Sequence, residues 1–281
     1  MPASPAELKS FCAALYESEW ARLLLGESLH PGGLALTERL GQALGLQPDM
    51  TVLDAARGTG TSAIFLAERF GCRVVGVDYS ARMVTEACGR AEARGVAGRV
   101  EFLQGDIESL RLGDDSFDAI ICECAFCTFP DKAAAAREFF RVLKTGGRIG
   151  FSDLTRNAVL APQLDTLLAW VACVADAQPS EDYIAFLANA GLAVEMTENH
   201  TAALRAVVED AHLKLMETEI LQKLGKIALP VGVDLEEVKA LARTASEAVR
   251  DGTLGYALIL ASKSPGRSFE QDGDEPDCVL D

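Results

Sequence analysis

Three cysteines and one glutamate lie close together in the run CECAFC at residues 122 to 127. Thiolates are soft donors that bind thiophilic centres, and a carboxylate beside them can act as a general base or contact a cofactor. If the run continues a strand, Cys122 and Cys124 share one side and Glu123 takes the other. Cysteine is also a common core residue, so packing is the alternative interpretation. Cys124 and Cys127 form a C-x-x-C pair, but no second cysteine pair or histidine set follows, so a zinc site is not predicted.

A glycine-rich turn lies upstream, in VLDAARGTGTSA at residues 52 to 63. Gly58 and Gly60 have no Cβ and therefore allow the backbone to approach a ligand closely. Their spacing also fits dinucleotide-binding folds, so the glycines alone do not identify the cofactor. Asp54 does, because its carboxylate would repel an anionic pyrophosphate and attract the cationic amino and sulfonium groups of S-adenosylmethionine (SAM). The turn predicts a SAM site, with an ordinary strand-to-helix turn as the alternative.

Two more acids stand at the ends of predicted strands. Asp78 ends CRVVGVD, where it can accept hydrogen bonds from both hydroxyls of a ribose or, with Ser80, cap the next helix. Asp106 follows the next strand, where it can accept from an adenine amino group with Ile107 beside the ring, or cap a helix. The other residues predicted to contact the cofactor lie near these acids or in the cysteine run: Tyr79, Met83 and Cys122.

Strand and helix patterns alternate along the chain, and these elements must bring the side chains together. Nearly continuous apolar strands with helical segments between them predict a doubly wound, mostly parallel α/β sheet. Ligands bind such sheets at the carboxyl ends of the strands, where the acids, glycines and cysteines stand. Pattern and composition predict N-terminal helices at 1–47, a Rossmann-like core at 48–200, a helical insertion forming a lid over the substrate at 201–250, the final strand at 251–263 and a disordered acidic tail at 264–281.

The motifs VLDAARGTG, VVGVDYS, GDIESL and FFRVLKTGGRIGFSDL, taken in this order, resemble those of class I methyltransferases over residues 50 to 155. The resemblance implies SAM as the cofactor and a seven-stranded sheet that ends in an antiparallel pair, formed by LAVEMTEN and GYALILASK. Ala56 stands where many members have the first glycine of the motif, and it is predicted to contact the cofactor. Arg57, beside a cationic cofactor, has no explanation in the sequence.

Two segments, CECAFCTFPDKAAAAREFFRVLKTGGRIGFSDL and VACVADAQPSEDYIAFLANAGL, are similar to arsenite methyltransferases. That family binds trivalent arsenic through one cysteine after the fourth strand and one after the fifth, which correspond to Cys124 and Cys173. With Glu123, these are the predicted catalytic residues, and no resident metal is predicted. The chain departs from the family ahead of the first strand, where it has no redox cysteine pair, and Cys12 lies too far upstream to match. The resemblance also makes a thiol reductant a candidate co-reactant.

The substrate that this resemblance implies is a small thiophilic molecule, with arsenite or a methylated arsenical first and sulfide, selenide or a small thiol second. A lone pair on arsenic or sulfur needs little help from a general base, and methyl transfer depends mostly on positioning. Methylation at carbon or oxygen of a small metabolite, with the cysteines only packing, is the alternative among enzymes. A sensor that binds SAM or a metalloid without chemistry is the alternative from another class, and a nicotinamide oxidoreductase is the most remote.

Composition limits the partners and the compartment. The 281-residue chain has 42 acidic and 26 basic residues and a formal net charge of −16, which disfavours phosphate backbones, so no nucleic-acid partner is predicted. No uncharged apolar run reaches about 18 residues and no secretory start is present, so a soluble, cytoplasmic protein without a membrane partner is expected. The eight cysteines are then expected as free thiols, with Cys12, Cys72 and Cys88 packed as small apolar side chains.

Overall fold

Seven strands form one sheet in the computed structural model, which describes residues 4–17, 30–56, 58–164, 173–224, 226 and 234–264. The strands are β1 Thr51–Ala55, β2 Arg73–Asp78, β3 Val100–Gln104, β4 Phe117–Glu123, β5 Leu143–Arg156, β6 Ala193–Asn199 and β7 Leu254–Ser262. Their order in the sheet is β3-β2-β1-β4-β5-β7-β6. Strands β1 to β5 pair with one another in parallel, whereas β7 pairs antiparallel with both β5 and β6. The predicted doubly wound sheet with a closing antiparallel pair is confirmed.

Helices fill most of the connections between the strands. They are α1 Pro5–Tyr16, α2 Gly33–Leu44, α3 Thr61–Phe70, α4 Ala81–Ala93, α5 Lys132–Val142, α6 Ser180–Asn189, α7 Thr201–Lys223 and α8 Leu235–Arg250, with short 3-10 turns at Phe126–Thr128 and Pro162–Leu164. Side-chain caps fix several of the helix starts. The Ser80 hydroxyl accepts from the Met83 N–H at 3.0 Å, and the Asp131 carboxylate accepts from the Ala134 N–H at 2.8 Å.

The core lies on both faces of the central strands. Apolar side chains of β1, β4 and β5 are buried by helices on either side, which explains why these strands have almost no alternation of polar residues. Gly150 permits the close packing of α2 on β5, because a Cβ there would lie 2.4 Å from Cδ1 of Leu40. The strand order reverses direction between β1 and β4, and in such sheets the ligand crevice opens at that point.

The sequence predicts that the helical insertion at 201–250 lies over the substrate. Its helices, α7 and α8, instead pack against each other and against β7. In the part of the insertion that the structure describes, no residue lines the cavity at the carboxyl ends of the strands, whereas α1 does. The structure therefore places an N-terminal helix where the sequence predicts the insertion.

Two predicted segments fall wholly or partly outside the described residues. One is the acidic tail after Ser264, and the other is the stretch 162–176, whose apolar spacing predicts a helix. Among the helices that the structure describes, none combines the length and apolar character needed to cross a membrane.

Candidate active site

A cavity opens between α1 and the carboxyl ends of the central strands. Its lining includes ten of the thirteen residues predicted for the site, namely Asp54, Ala56, Gly58, Asp78, Tyr79, Met83, Asp106, Ile107, Glu123 and Cys124. Gly60, Cys122 and Cys173 are predicted site residues that do not line it. The fold thus brings most of the dispersed candidates to one edge of the sheet, as parallel strands with common carboxyl ends require.

The turn after β1 fixes the backbone at the cavity. Ala56 has a φ of 57° and Gly58 a φ of 55°, both in the left-handed region. Alanine is unfavourable there by about 1 kcal/mol, so the surrounding contacts must hold it in place. One such contact is the hydrogen bond from the Ala56 N–H to the Val77 carbonyl at 2.9 Å.

Asp78 is held by two backbone N–H groups. Its Oδ2 accepts from the Gly58 N–H at 2.8 Å, and its Oδ1 accepts from the Ser80 N–H at 2.9 Å. A carboxylate oxygen can accept more than one hydrogen bond, so this geometry is compatible with ribose binding. Ser80, rather than Asp78, supplies the side-chain cap of α4.

Gly60 serves packing in this structure. It precedes α3 with a φ of 78°, and a Cβ there would lie 2.8 Å from Cβ of Ala87 and 3.0 Å from Cζ of Phe102. The sequence attributes both glycines of the turn to ligand approach. The structure places Gly58 on the cavity and Gly60 against α4 and β3, so the need for glycine at position 60 is explained by its neighbours in the core.

Asp106 forms an ion pair with a residue that sequence analysis missed. Lys9 Nζ donates to both Asp106 carboxylate oxygens, at 2.7 and 3.0 Å, and to Glu108 at 2.5 Å. Asp106 also accepts from the Glu108 N–H at 3.0 Å and begins a turn rather than a helix, so the helix-cap alternative is wrong. Lys9 and Asp106 are separated by 97 residues, and nothing local in the sequence indicates their contact.

Glu123 is held by hydroxyl groups from two helices. Its carboxylate accepts from Ser62 Oγ at 2.6 Å and from Thr37 Oγ1 at 3.0 and 3.1 Å, and His30 Nε2 lies 3.4 Å away. Both Glu123 and Asp54 line the cavity, at the ends of neighbouring strands. Two carboxylates in one enclosed space favour a cationic ligand. Sequence analysis missed His30 and Thr37, because both come from a segment without a strand-end motif.

Cys124, Cys127 and Cys173 lie together in a group that we call the acceptor cluster, of which Cys124 lines the cavity. Cys173 Sγ is 3.3 Å from the Cys124 carbonyl oxygen and 3.3 Å from Tyr16 Oη. Hydrogen bonds from the thiols of Cys124 and Cys127 lower the pKa of Cys173 well below its ordinary value, with smaller contributions from Tyr16 and the charge of Lys132. The hydrogen bond with Cys173 raises the pKa of Cys124, and burial together with the same partner raises the pKa of Cys127.

The contacts among the three thiols therefore favour ionisation of Cys173 over that of Cys124 and Cys127. Cys124 and Cys173 also have left-handed backbones, with φ values of 52° and 66°, which is uncommon for residues other than glycine. Strained backbone of this kind concentrates at functional sites. Among the residues that the structure describes, no three histidine, cysteine or carboxylate side chains are arranged to hold a metal ion.

Among the other cysteines, one that was predicted to contact the cofactor is buried in the core, and one that was predicted to pack in the core lines the cavity. Cys122, predicted to contact the cofactor, is fully buried in the core, and burial raises its pKa well above the ordinary value. Cys12, predicted to pack, lines the cavity from α1, and burial raises its pKa to about 12. Cys72 is buried as predicted, whereas Cys88 is exposed.

Two buried ionisable groups lie behind the acceptor cluster. The Asp153 carboxylate accepts from the Cys127 N–H at 2.9 Å, and burial raises its pKa to about 7. Lys132 Nζ donates to the carbonyl oxygens of Cys127 at 2.8 Å and Phe129 at 3.1 Å, and it forms an ion pair with Asp176. Neither group was singled out by the sequence motifs.

Known proteins resemble this chain at the level of sequence. A family model described as a methyltransferase domain matches residues 46–222. Phosphoethanolamine N-methyltransferase 1 of Arabidopsis thaliana is 36% identical over 126 residues, which are 45% of this chain and 25% of that protein. Arsenite methyltransferase of Aquipseudomonas alcaligenes is 30% identical over 234 residues, which are 79% of this chain and 64% of that protein. The matched regions thus span from a quarter to under two thirds of these relatives.

Solved structures share the fold. Phosphoethanolamine N-methyltransferase 2 of Haemonchus contortus, in complex with S-adenosyl-L-methionine, superposes with a TM-score of 0.76 at 18% identity, over 94% of this chain and 60% of that one. The family model covers more than half of the chain, including the glycine turn and all four acids of the cavity. The chain therefore belongs to the methyltransferase domain family, and its cofactor is SAM.

Proposed function

We propose that this chain transfers the methyl group of SAM to a small thiophilic acceptor, with arsenite or a methylated arsenical as the first candidate. The observation that carries the proposal is the acceptor cluster. Cys124 lines the cofactor cavity, and Cys173 Sγ lies 3.3 Å from the Cys124 carbonyl oxygen. Two soft donors at the carboxyl end of β4 suit a soft, trivalent centre. The 30% identity with a protein named arsenite methyltransferase supports the same choice.

The acids of the cavity fit the cofactor. Asp54 and Glu123 would face the cationic amino and sulfonium groups, and Asp78 would accept from the ribose hydroxyls. Asp106 would share its carboxylate between Lys9 and the adenine amino group. The remaining contacts of the cofactor are assigned to Ala56, Gly58, Tyr79, Met83 and Ile107, all of which line the cavity.

The cysteines bind and orient the acceptor. Each As–OH bond of arsenous acid exchanges with a thiol to give an As–S bond and water, so two exchanges leave arsenic on Cys124 and Cys173 without a change of oxidation state. When bound, SAM would supply its methyl group: the arsenic lone pair forms the As–C bond, the methyl–sulfur bond breaks with its electrons staying on sulfur, and S-adenosylhomocysteine leaves. Arsenic thereby goes from the trivalent to the pentavalent state. Returning the product to the trivalent state requires two electrons, and we propose a thiol reductant as their source, in a compartment that keeps the cysteines reduced.

A second candidate is methylation at carbon or oxygen of a small metabolite. The observation that favours it is the buried contact of Glu123 with His30 on the cavity, since such acceptors more often need a general base. The hydroxyl donors that occupy the Glu123 carboxylate weigh against it, because a base in this position would have to give up those bonds. Sulfide, selenide and small thiols remain alternatives within the thiophilic class.

Serine variants of the two cysteines test the proposal. Cys124→Ser or Cys173→Ser should lower arsenite methylation by about a hundredfold or more, because a single sulfur loses the benefit of two-point binding. Calorimetry should show SAM binding within about twofold of wild type, since neither sulfur is assigned to the cofactor. Cys88→Ser, an exposed cysteine on α4, is the matched control and should be fully active. Wild-type methylation of arsenite by both active-site variants would contradict the proposal.

A further inference from the structure

Lys132 has an unusual place for a lysine. It begins α5, yet its side chain is 6% exposed and turned into the protein. A positive charge in the first turn also opposes the helix dipole, which favours negative groups there. The ammonium group has three N–H donors, and the structure provides three acceptors: the carbonyl oxygens of Cys127 and Phe129 and the carboxylate of Asp176. A buried cation in an unfavourable position is thus fully bonded by its surroundings.

The three acceptors belong to two separate parts of the chain. Cys127 and Phe129 follow β4 and continue the run that contains Cys124. Asp176 lies in the segment 173–178, which begins with Cys173 and is 44 residues from Lys132 in sequence. The same ammonium group therefore joins the two segments that supply the sulfurs of the acceptor cluster. Its charge also lies close enough to Cys173 to favour the thiolate.

We propose that Lys132 is a positioning residue that sets the spacing of Cys124 and Cys173, so that one soft atom with two exchangeable ligands is bound by both sulfurs. The inference rests on the proposed function, because it takes these cysteines as the ligands of the acceptor. It adds a requirement that the cysteines alone do not contain. The segment after β4 and the segment 173–178 must be held together by a group that does not itself touch the methyl acceptor.

Phenylarsine oxide is the probe for this spacing. It condenses with two thiols to form two As–S bonds and one water, and arsenic remains trivalent, so binding needs both sulfurs but no SAM and no methyl transfer. Its dissociation constant is measured in competition with dithiothreitol, for wild type and for Lys132→Met, which has a similar length but neither charge nor donors. Cys173→Ser in each background identifies the binding that depends on the cysteine pair.

We expect Lys132→Met to bind the probe about tenfold more weakly or worse, because small displacements of a positioned pair are costly. SAM affinity should stay within about twofold of wild type. Lys132→Arg, which keeps the charge and donors, should restore part of the probe affinity. Lys144→Met is the matched control. This variant also loses an ion pair, the one between Lys144 and Asp118 at 2.8 Å, but that pair is remote from the cluster, so the variant should bind the probe normally.

A second variant guards against misfolding of Lys132→Met. Asp176→Asn removes the charge of the partner, whose side chain is 35% exposed, and should weaken probe binding in the same direction by less. In the methylation assay, Lys132→Met should raise the KM for arsenite and leave the KM for SAM unchanged, which a general loss of stability would not do.

The outcomes separate this inference from the proposed function. Wild-type probe affinity in Lys132→Met and Asp176→Asn, or an equal loss in Lys144→Met, overturns the role of Lys132. If Cys124→Ser and Cys173→Ser still methylate arsenite, the proposed function fails, while the probe measurement on Lys132 remains valid by itself. If the wild-type chain does not bind the probe, both are overturned.

Discussion

The two ends of the cavity are built in different ways. At the cofactor end, backbone N–H groups of the loops after β1 and β2 hold the Asp78 carboxylate, and distant side chains add to the contacts of Asp106 and Glu123. At the acceptor end, the groups come from distant parts of the chain, as when Tyr16 and Cys124 meet Cys173. A carboxylate held by loop backbone can be retained while side chains at the other end change. This difference explains how the methyl donor is identified by the fold while the acceptor depends on a few side chains.

Helix α1 contacts both ends. Lys9 binds the Asp106 and Glu108 carboxylates, Ser80 donates to Glu17 at 2.5 Å just after the helix, and Tyr16 contacts Cys173. The helix therefore covers the cavity through polar contacts rather than through an extensive apolar face.

Asp54→Asn should have the largest effect, a loss of SAM affinity at the cofactor end. Loss of the buried charge should weaken SAM binding by about a hundredfold, the scale of a charge-assisted contact in a buried site. Calorimetry with SAM measures this loss, and phenylarsine oxide binding should stay normal because the acceptor end is untouched. The control is Asp49→Asn, an exposed acid in the turn before β1. SAM binding as tight as that of wild type would remove Asp54 from the cofactor site.

Gly60→Ala should mainly lower the stability of the fold, because position 60 packs against neighbouring elements at the cofactor end. The added Cβ would meet Ala87 and Phe102, and the left-handed backbone is unfavourable for alanine, so the free energy of unfolding should fall by about 2 kcal/mol. Gly89→Ala is the matched control, because position 89 is helical with open space around it and should gain up to about 1 kcal/mol. Urea denaturation measures both, and equal stability of the two variants would show that position 60 is not tightly packed.

Lys9→Met should have the smallest effect, and it tests whether α1 helps to retain SAM in the cavity. Removing the ammonium group leaves Asp106 and Glu108 without their shared partner, so α1 should cover the cavity less tightly and SAM should dissociate about threefold faster. Stopped-flow displacement of SAM measures the rate. An unchanged rate would mean that the ion pair does not contribute to retention of the cofactor.

Sequence reasoning succeeded where function and structure are encoded in the same short segment. Asp54, Gly58 and Asp78 are recognisable because a strand, a turn and an acid at its end follow each other directly. Cys124 lines the cavity because it directly follows β4, but its predicted role as a ligand comes from resemblance to a family. Cys173 came from resemblance to a family, and the structure brings it against Cys124.

The residues that sequence reasoning missed act through long-range contacts. Lys9 reaches Asp106 across 97 residues, Thr37 reaches Glu123 across 86, and Lys132 reaches Asp176 across 44. Such contacts depend on how helices pack on the sheet, which no local pattern specifies. In the same way, a helical pattern predicts the helices of 201–250 but not the surface on which they pack, and none of their described residues lines the cavity.

Product identification tests the central claim most directly. The chain is incubated with SAM, a thiol reductant and equal concentrations of arsenite, selenite, sulfide and small thiols, and the methylated products are measured by mass spectrometry beside a Cys173→Ser sample. We expect methylated arsenic as the main product from the wild-type chain and its loss in the variant. Methylated arsenic at equal yield in both samples, or a product methylated at carbon or oxygen when a metabolite extract is added, would contradict it.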